Sequence, residues 1–298
     1  MSLTAFFHRL SDKLLDAAMA AETKKAGLAA DTVALPFGKM VYLRSIAAPK
    51  AEDAPIVMLH GAASDKSAWV RLAQQLDVAL PILIPDLPGH GDSDAADTIQ
   101  LGIASQARHV SRFLSKLGIK RAHLIGNSMG GTIALHLAAT EPALVATLIV
   151  IDAAGAQAKP SWLRNHCAKG AANPMSDVAD VAAYREMIRI GMQSPPYIPG
   201  FMMASLARRF IARRAINARI ASDIDGDLDQ TARLDKISAE TLIIWGEQDR
   251  VLHVDDAELL RRAIRRSSKV LLPGIGHAPM VEAPKQVARL CKDFYAAL

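Results

Sequence analysis

Cysteine is scarce in this chain: two among 298 residues, Cys167 and Cys291, in unrelated sequence settings. That argues against a disulfide framework and for a reducing compartment, so a cytoplasmic protein is expected. Long apolar runs are missing too. No stretch approaches the ~20 apolar residues that span a bilayer. The N-terminus lacks the basic segment and unbroken apolar core of a cleaved leader, and none is expected. There is no internal repeat and no low-complexity block. Zinc-finger spacing, an RNP-like aromatic motif and a basic tail are all absent. The formal charge of +5, with a pI near 9.2, is therefore a mild excess spread over the length, and no nucleic-acid partner is expected. Hydrophobic side chains are plentiful, at 51 %. They suffice for one large core, in one domain or in a domain with an insertion.

The first residues have a helical rhythm. Leu3, Phe6, Phe7, Leu10, Leu14 and Ala18 recur on one face, with Arg9, Asp12, Lys13 and Asp16 on the other. Residues 1–28 are read as an N-terminal amphipathic helix. Its apolar face is expected to pack on the body or a partner, and a helix lying in a membrane interface is the sharper alternative.

From about residue 30, short apolar runs alternate with longer helical patterns. Val33–Leu35 and Met40–Ile46 read as a hairpin about Phe37-Gly38. Strands are expected at 55–59, 82–84, 121–126, 147–151, 241–245 and 269–272, and helices at 67–76, 99–117, 132–139, 255–266 and 284–298. Alternation of this kind means a mostly parallel sheet covered by helices on both faces, an α/β fold. Between 157 and 235 the rhythm breaks: Pro160, Pro174, Pro195-Pro196 and Pro199-Gly200 punctuate helical patterns with no strong strand. The expected organisation is a core of residues 29–156 and 236–298, with a helical cap (lid) insertion at 157–235. Insertions above strand C-termini are where such folds build pockets.

Gly126-Asn127-Ser128-Met129-Gly130 lies between an apolar strand run and a helical run. A Gly-x-Ser-x-Gly in that setting is a nucleophile elbow, a turn sharp enough to lift the serine hydroxyl above the sheet. Serine needs a base, and the base needs an orienting acid. Asp249, in Trp245-Gly246-Glu247-Gln248-Asp249 just past a strand, fits the acid; Asp255 is better placed to cap the next helix. His277, in Leu272-Pro273-Gly274-Ile275-Gly276-His277 after the last strand, fits the base. His109, His123 and His136 fall inside helix or strand patterns, and His166 and His253 have no partner pattern. A tetrahedral oxyanion would need two backbone N–H donors. Met129, at a helix N-terminus, supplies one, and Ala62 in His60-Gly61-Ala62-Ala63 is the candidate for the other. His60 reads as a residue that organises that loop.

His60-Gly61, Asp86-Leu87-Pro88-Gly89-His90-Gly91-Asp92-Ser93, Gly126-Asn127-Ser128-Met129-Gly130-Gly131, Trp245-Gly246-Glu247-Gln248-Asp249 and Gly276-His277 resemble, in this order, the α/β-hydrolase superfamily. The resemblance spans residues 55–284 and is strongest to the monoacylglycerol-lipase and carboxylesterase branch. Ile244-Trp245-Gly246, Asp249-Arg250-Val251-Leu252 and Ser194-Pro195-Pro196-Tyr197-Ile198-Pro199 add to it. It implies the α/β-hydrolase fold and a Ser128, Asp249, His277 triad. Dehalogenases and epoxide hydrolases of this fold carry Asp at the elbow, where this chain has Ser128. Carbon–carbon hydrolases of meta-cleavage type usually follow the base with tryptophan, where this chain has Ala278.

The insertion carries Phe201, Met202 and Met203, expected to line an apolar substrate pocket because methionines adapt to varied acyl chains. Arg208, Arg209, Arg213, Arg214 and Arg219 are expected to point into water or toward anionic headgroups, neutralised by Asp223, Asp225, Asp227 and Asp229. The expected function is a serine hydrolase of neutral, apolar carboxylic esters or lipids, with peripheral membrane contact as an option. It would need no metal and no organic cofactor. A carbon–carbon hydrolase and a non-catalytic small-molecule-binding protein on the same fold are the alternatives. Chain length of the acyl group, alcohol partner and oligomeric state are not encoded in any motif.

Overall fold

The apolar runs pair into one eight-stranded sheet in the computed structural model, which describes residues 3–46 and 54–298. Residues 1–2 of the expected N-terminal helix and residues 47–53 of the expected core lie outside the described residues. β1 (Leu28–Leu35) and β2 (Gly38–Ser45) form the expected hairpin. Gly38 has φ 125°, and a Cβ there would lie 2.6 Å from Cβ of Asp94, so only glycine fits that turn. β2 pairs antiparallel with β4 (Ile82–Pro85). The remaining neighbours are parallel: β4 with β3 (Ile56–Leu59), then β5 (Ala122–Asn127), β6 (Val145–Ile151), β7 (Glu240–Gly246) and β8 (Ser267–Leu272). The order across the sheet is β1-β2-β4-β3-β5-β6-β7-β8.

Strand alternation divides the core into two layers. Ile56, Met58, Ile125, Ile149 and Ile244 face α2 (Val70–Leu76) and α11 (Pro284–Ala296), where Leu72, Leu76, Val287 and Cys291 meet them. Val57, Leu59, Leu124, Leu148 and Ile243 face the other way, onto α3 (Ile103–Lys116), α4 (Met129–Thr140) and α9 (Asp256–Ala263), through Phe113, Ile133 and Leu260. Each fully buried aliphatic contributes ~1.5–3 kcal/mol. Both faces are covered, which is why β3 and β4 read as unbroken apolar runs.

Between β6 and β7 the chain forms α5 (Trp162–Ala168), α6 (Val181–Gly191), α7 (Gly200–Ala212), α8 (Arg214–Asp225) and a 3-10 turn at Thr231–Lys236. Tyr184, Met187, Ala207 and Phe210 give α6 and α7 a small core of their own. Contrary to the expectation from sequence, Asp223 and Asp227 do not pair with the arginines. Their carboxylates accept the N–H groups of Leu101 (2.9 Å) and Ala104 (2.8 Å) at the start of α3. Free N–H groups and the helix dipole make that end a natural seat for carboxylates. This tie explains why α3 begins at Ile103, after Gly102, rather than at residue 99.

The N-terminal helix α1 (Leu3–Lys25) packs on α7, but with its polar side inward. Arg208 reaches Asp12 and Arg209 reaches Asp16, each at 2.7 Å, and Leu15 is buried. Phe6, Phe7, Leu10 and Leu14 are 44–56 % exposed. The apolar face therefore does not pack on the body, because two guanidinium groups on α7 select the two carboxylates. Arg213 likewise does not point into water: it donates to the carbonyls of Gly89 (2.6 Å) and Gly91 (3.0 Å). Arg219 donates to that of Ile99. Asp255 pairs with Lys159 and makes no side-chain cap to α9.

Candidate active site

Ser128 sits between β5 and α4 with φ 52° and ψ −120°, a left-handed conformation that costs a non-glycine residue on the order of 1–3 kcal/mol. The glycines around it are forced by packing. A Cβ on Gly126 would overlap the Gly130 carbonyl, and one on Gly130 would overlap the carbonyl of Leu59. A Cβ on Gly131 would lie 2.5 Å from that of Ala153. Strand and helix can meet this closely only without side chains. Met129 opens α4, so its N–H has no partner within the helix and shares the positive end of the helix dipole.

Asp249 and His277 are brought together from loops after β7 and β8. Nδ1 of His277 and Oδ2 of Asp249 are 2.7 Å apart. Oδ1 of Asp249 accepts the N–H groups of Val251 (2.7 Å) and Leu252 (3.0 Å), which fix its plane. The Asp249 side chain is fully buried and that of His277 is 11 % exposed. Because Nδ1 faces the carboxylate, Nδ1 carries the proton and Nε2 is left as the acceptor. The loop that carries His277 is itself pinned. The His277 N–H donates to the Gly191 carbonyl at the end of α6 (2.8 Å), and Asn127 donates from Nδ2 to the His277 carbonyl (3.1 Å). Glu282, in the short helix α10 (Pro279–Glu282), accepts from Gly276 (2.9 Å) and Ser194 (2.8 Å).

The loop after β3 runs past Ser128: a Cβ on Gly61 would stand 3.3 Å from that of Ser128. His60 organises this loop. Its Nε2 accepts from the Leu87 N–H (3.0 Å) and its Nδ1 donates to the Gly61 carbonyl (2.8 Å). Burial holds its pKa below the usual histidine range, so the ring is neutral. Asp86 accepts from the backbone and side-chain nitrogens of Lys66 (2.7 and 2.6 Å) and from the Asp92 N–H (2.8 Å). A Cβ on Gly91 would strike that carboxylate, which accounts for the glycine in Gly91-Asp92.

Ala62, Ser128 and His277 all line one cavity of about 440 Å³ under α6 and α7. Its wall includes Met175, Tyr184, Met187, Leu206, Phe210 and Met280. Burial pushes the Tyr184 phenol up to about 12, so it presents a neutral hydroxyl. Phe201, Met202 and Met203 do not line this cavity. Phe201 is 46 % exposed on the first turn of α7, and Met203 packs on the small core shared with α6. Leu206 and Phe210, farther along the same helix, reach the cavity instead. The methionines that do so are Met187 on α6, Met175 and Met192 on either side of it, and Met280 on α10. Nothing in the spacing of 201–203 distinguishes these positions; the packing of α7 on α6 decides.

Sequence reading passed over Asp152, Asn127 and Glu282. Asp152 carries the same signal that marked Asp249, a carboxylate directly after an apolar strand. Asp152, Asp249 and His277 each offer an atom within 4.8 Å of the others, a spacing that could hold a metal ion. Asp249, however, already gives one oxygen to His277 and the other to two backbone N–H groups. That donor set is engaged within the protein, which does not fit a metal centre.

The family model described as "Alpha/beta hydrolase family" matches residues 56–290. Among curated proteins, the chain is 29 % identical to Lipase 3 of Moraxella sp. (strain TA144) over 279 residues, covering 92 % of this chain and 86 % of that protein. It is 28 % identical to monoacylglycerol lipase ABHD6 of Rattus norvegicus over 261 residues, covering 82 % and 75 %. Among solved structures, one described as a membrane phospholipase A, a novel bacterial virulence factor, superposes with a TM-score of 0.91 at 32 % identity, covering 97 % of this chain and 92 % of that one.

Proposed function

Because the chain belongs to the alpha/beta hydrolase family, we propose that it is a serine hydrolase of carboxylic esters, an esterase or monoacylglycerol lipase. The observation that carries this reading is the 2.7 Å contact of Asp249 with Nδ1 of His277, which lines the same cavity as Ser128. In this mechanism Nε2 of His277 takes the Ser128 proton as Oγ attacks the ester carbonyl. Asp249 holds the tautomer and stabilises the imidazolium. The oxyanion is received by the N–H groups of Ala62 and Met129; losing one such donor typically costs ~3 kcal/mol. His277 then protonates the leaving alcohol. Water, deprotonated by His277, attacks the acyl-enzyme and releases the acid. The chemistry calls for no metal or organic cofactor.

The substrate reading follows the cavity. Methionine, leucine and phenylalanine side chains from the helices between β6 and β7, which act as a cap, suit a neutral acyl chain. Relatives named lipase, monoacylglycerol lipase and phospholipase point the same way. Turnover of nitrophenyl esters and monoacylglycerols of graded chain length tests it. Ser128→Ala is expected to lose at least ~10⁴-fold in kcat and to escape fluorophosphonate labelling; equal rates for the two chains would reject the assignment.

A second reading, peripheral contact with lipid, is favoured by the exposed Phe6, Phe7, Leu10 and Leu14 on α1, beside the cap helix α7. No described helix is long and apolar enough to cross a membrane, so such contact would lie in the interface.

A further inference from the structure

Asp152 is the first residue after β6 and has no part in the mechanism above. Its φ is 45°, a left-handed conformation that disfavours a side chain, and it is fully buried. Its N–H donates to the Ile244 carbonyl (3.0 Å) and its Oδ1 accepts the Gly246 N–H (2.9 Å). Both ties hold it to the end of β7, the strand that leads to Asp249. Oδ2 has no hydrogen-bond donor among the described residues. A buried ionised carboxylate with one oxygen unsatisfied is strongly disfavoured.

The neighbours decide where the charge resides. Carboxylate oxygens of Asp152 and Asp249 and a ring nitrogen of His277 lie within 4.8 Å of one another. Two carboxyl groups this close do not both ionise. Asp249 has three donors (two backbone N–H groups and His277), and Asp152 has one. The anion therefore belongs to Asp249. Glu282, on α10, adds further negative potential from a third direction. Burial first, and the Asp249 charge second, push the Asp152 carboxyl well above the usual carboxylate range.

We propose that Asp152 is a positioning residue of the catalytic acid: it stays protonated at neutral pH, donates its O–H to Asp249, and shares with it a single negative charge opposite His277. The proton remains on Asp152 through turnover. When residue 249 is an amide, that proton passes to solvent and Asp152 becomes the carboxylate facing the imidazole.

This rests on the serine-hydrolase reading, and the test separates the two. His277 is titrated by NMR in the wild type, Asp152→Asn and Asp249→Asn, a readout available in any folded chain. The amide introduced by Asp152→Asn keeps an oxygen for Gly246 and an N–H for Asp249, so the His277 pKa should not move in that variant, and the acid limb of kcat/KM with it. A fall in that pKa means that Asp152 was charged and overturns the proposal. Asp249→Asn should keep turnover ~100-fold below wild type rather than the ~10⁴-fold loss of a triad with no second carboxylate, and the double variant should lose about another 100-fold. Equal rates for Asp249→Asn and the double variant also overturn it. Should the chains carrying Asp152→Asn not fold, the size of the Asp249→Asn loss decides alone. Wild-type protein inert toward every ester would instead sink the serine-hydrolase reading.

Discussion

Gly246 and Gly276 are packed backbone against backbone: a Cβ on Gly246 would overlap the carbonyl oxygen of Gly276. The first begins the loop that carries Asp249, and the second immediately precedes His277. The 2.7 Å spacing of Asp249 and His277 is thus set by a contact that no side chain can enter. Gly276 is also pressed on the chain just past α6, since its Cβ would lie 2.7 Å from the Gln193 nitrogen.

Gly246→Ala is expected to force these loops apart. A loss of ~2 kcal/mol or more of stability, together with at least a tenfold fall in kcat/KM, is predicted from the backbone overlap. Gly226→Ala is the control: a Cβ there meets nothing within 4 Å and its φ is −81°. It should be neutral or slightly stabilising. Calorimetry and ester kinetics on both variants check this; a harmless Gly246→Ala would contradict the packing argument.

Two buried histidines should cost stability on acidification through the range where free histidines titrate. His60 and His90 are buried, with ring centroids 4.9 Å apart. Burial lowers both pKa values, and the His60 ring lowers that of His90 further. The unfolded chain, with histidine near 6.5, then binds more protons than the native one below that pH. The contribution of these two histidines is therefore full above pH ~6.5 and declines beneath it, by up to ~1.4 kcal/mol per pH unit for each; the protonated Asp152 acts in the opposite sense and offsets part of the decline. Melting temperatures from pH 7.5 to 5 measure this. His90→Asn should flatten the decline, and an unchanged slope would remove His90 from the account.

On the proposed mechanism, chain-length preference should respond to α6 and not to the start of α7. Met187→Trp fills the cavity and is expected to lower kcat/KM for long acyl esters ~10-fold while leaving acetate or butyrate esters within ~3-fold. Phe201→Ser, outside the cavity, should leave the profile unaltered. A chain-length shift in Phe201→Ser and none in Met187→Trp would mean that acyl groups bind elsewhere.

The reversed face of α1 makes its own prediction. Replacing Phe6 and Phe7 with serine should weaken co-sedimentation with vesicles several-fold and leave turnover of a soluble ester unchanged. Arg208→Ala should instead loosen α1 from α7, since Arg208 contacts Asp12, Ser11 and Ser205. Faster amide exchange in residues 5–20 would register that. Vesicle binding indifferent to Phe6 and Phe7 would remove the apolar stripe from consideration.

The elements of the sheet could be read from the chain because strand runs, turn glycines and helical spacing are local patterns. The tight strand-to-helix turn at Ser128 was equally legible: Gly126, Gly130 and Gly131 flank a serine there, and sterics allow little else. Asp249 and His277 stood out as polar residues just beyond apolar strands. Orientation was not local. Whether Asp12 and Asp16 face inward depends on arginines 196 and 193 residues away in sequence. Whether Met203 or Met187 meets the cavity depends on how α6 and α7 pack on one another. Asp152 could not be ranked beside Asp249 until both carboxyl groups, 97 positions apart in the numbering of the chain, had been counted for donors. Local sterics and periodicity write the elements into the chain; electrostatics and burial act only between groups that folding has brought within a few ångströms.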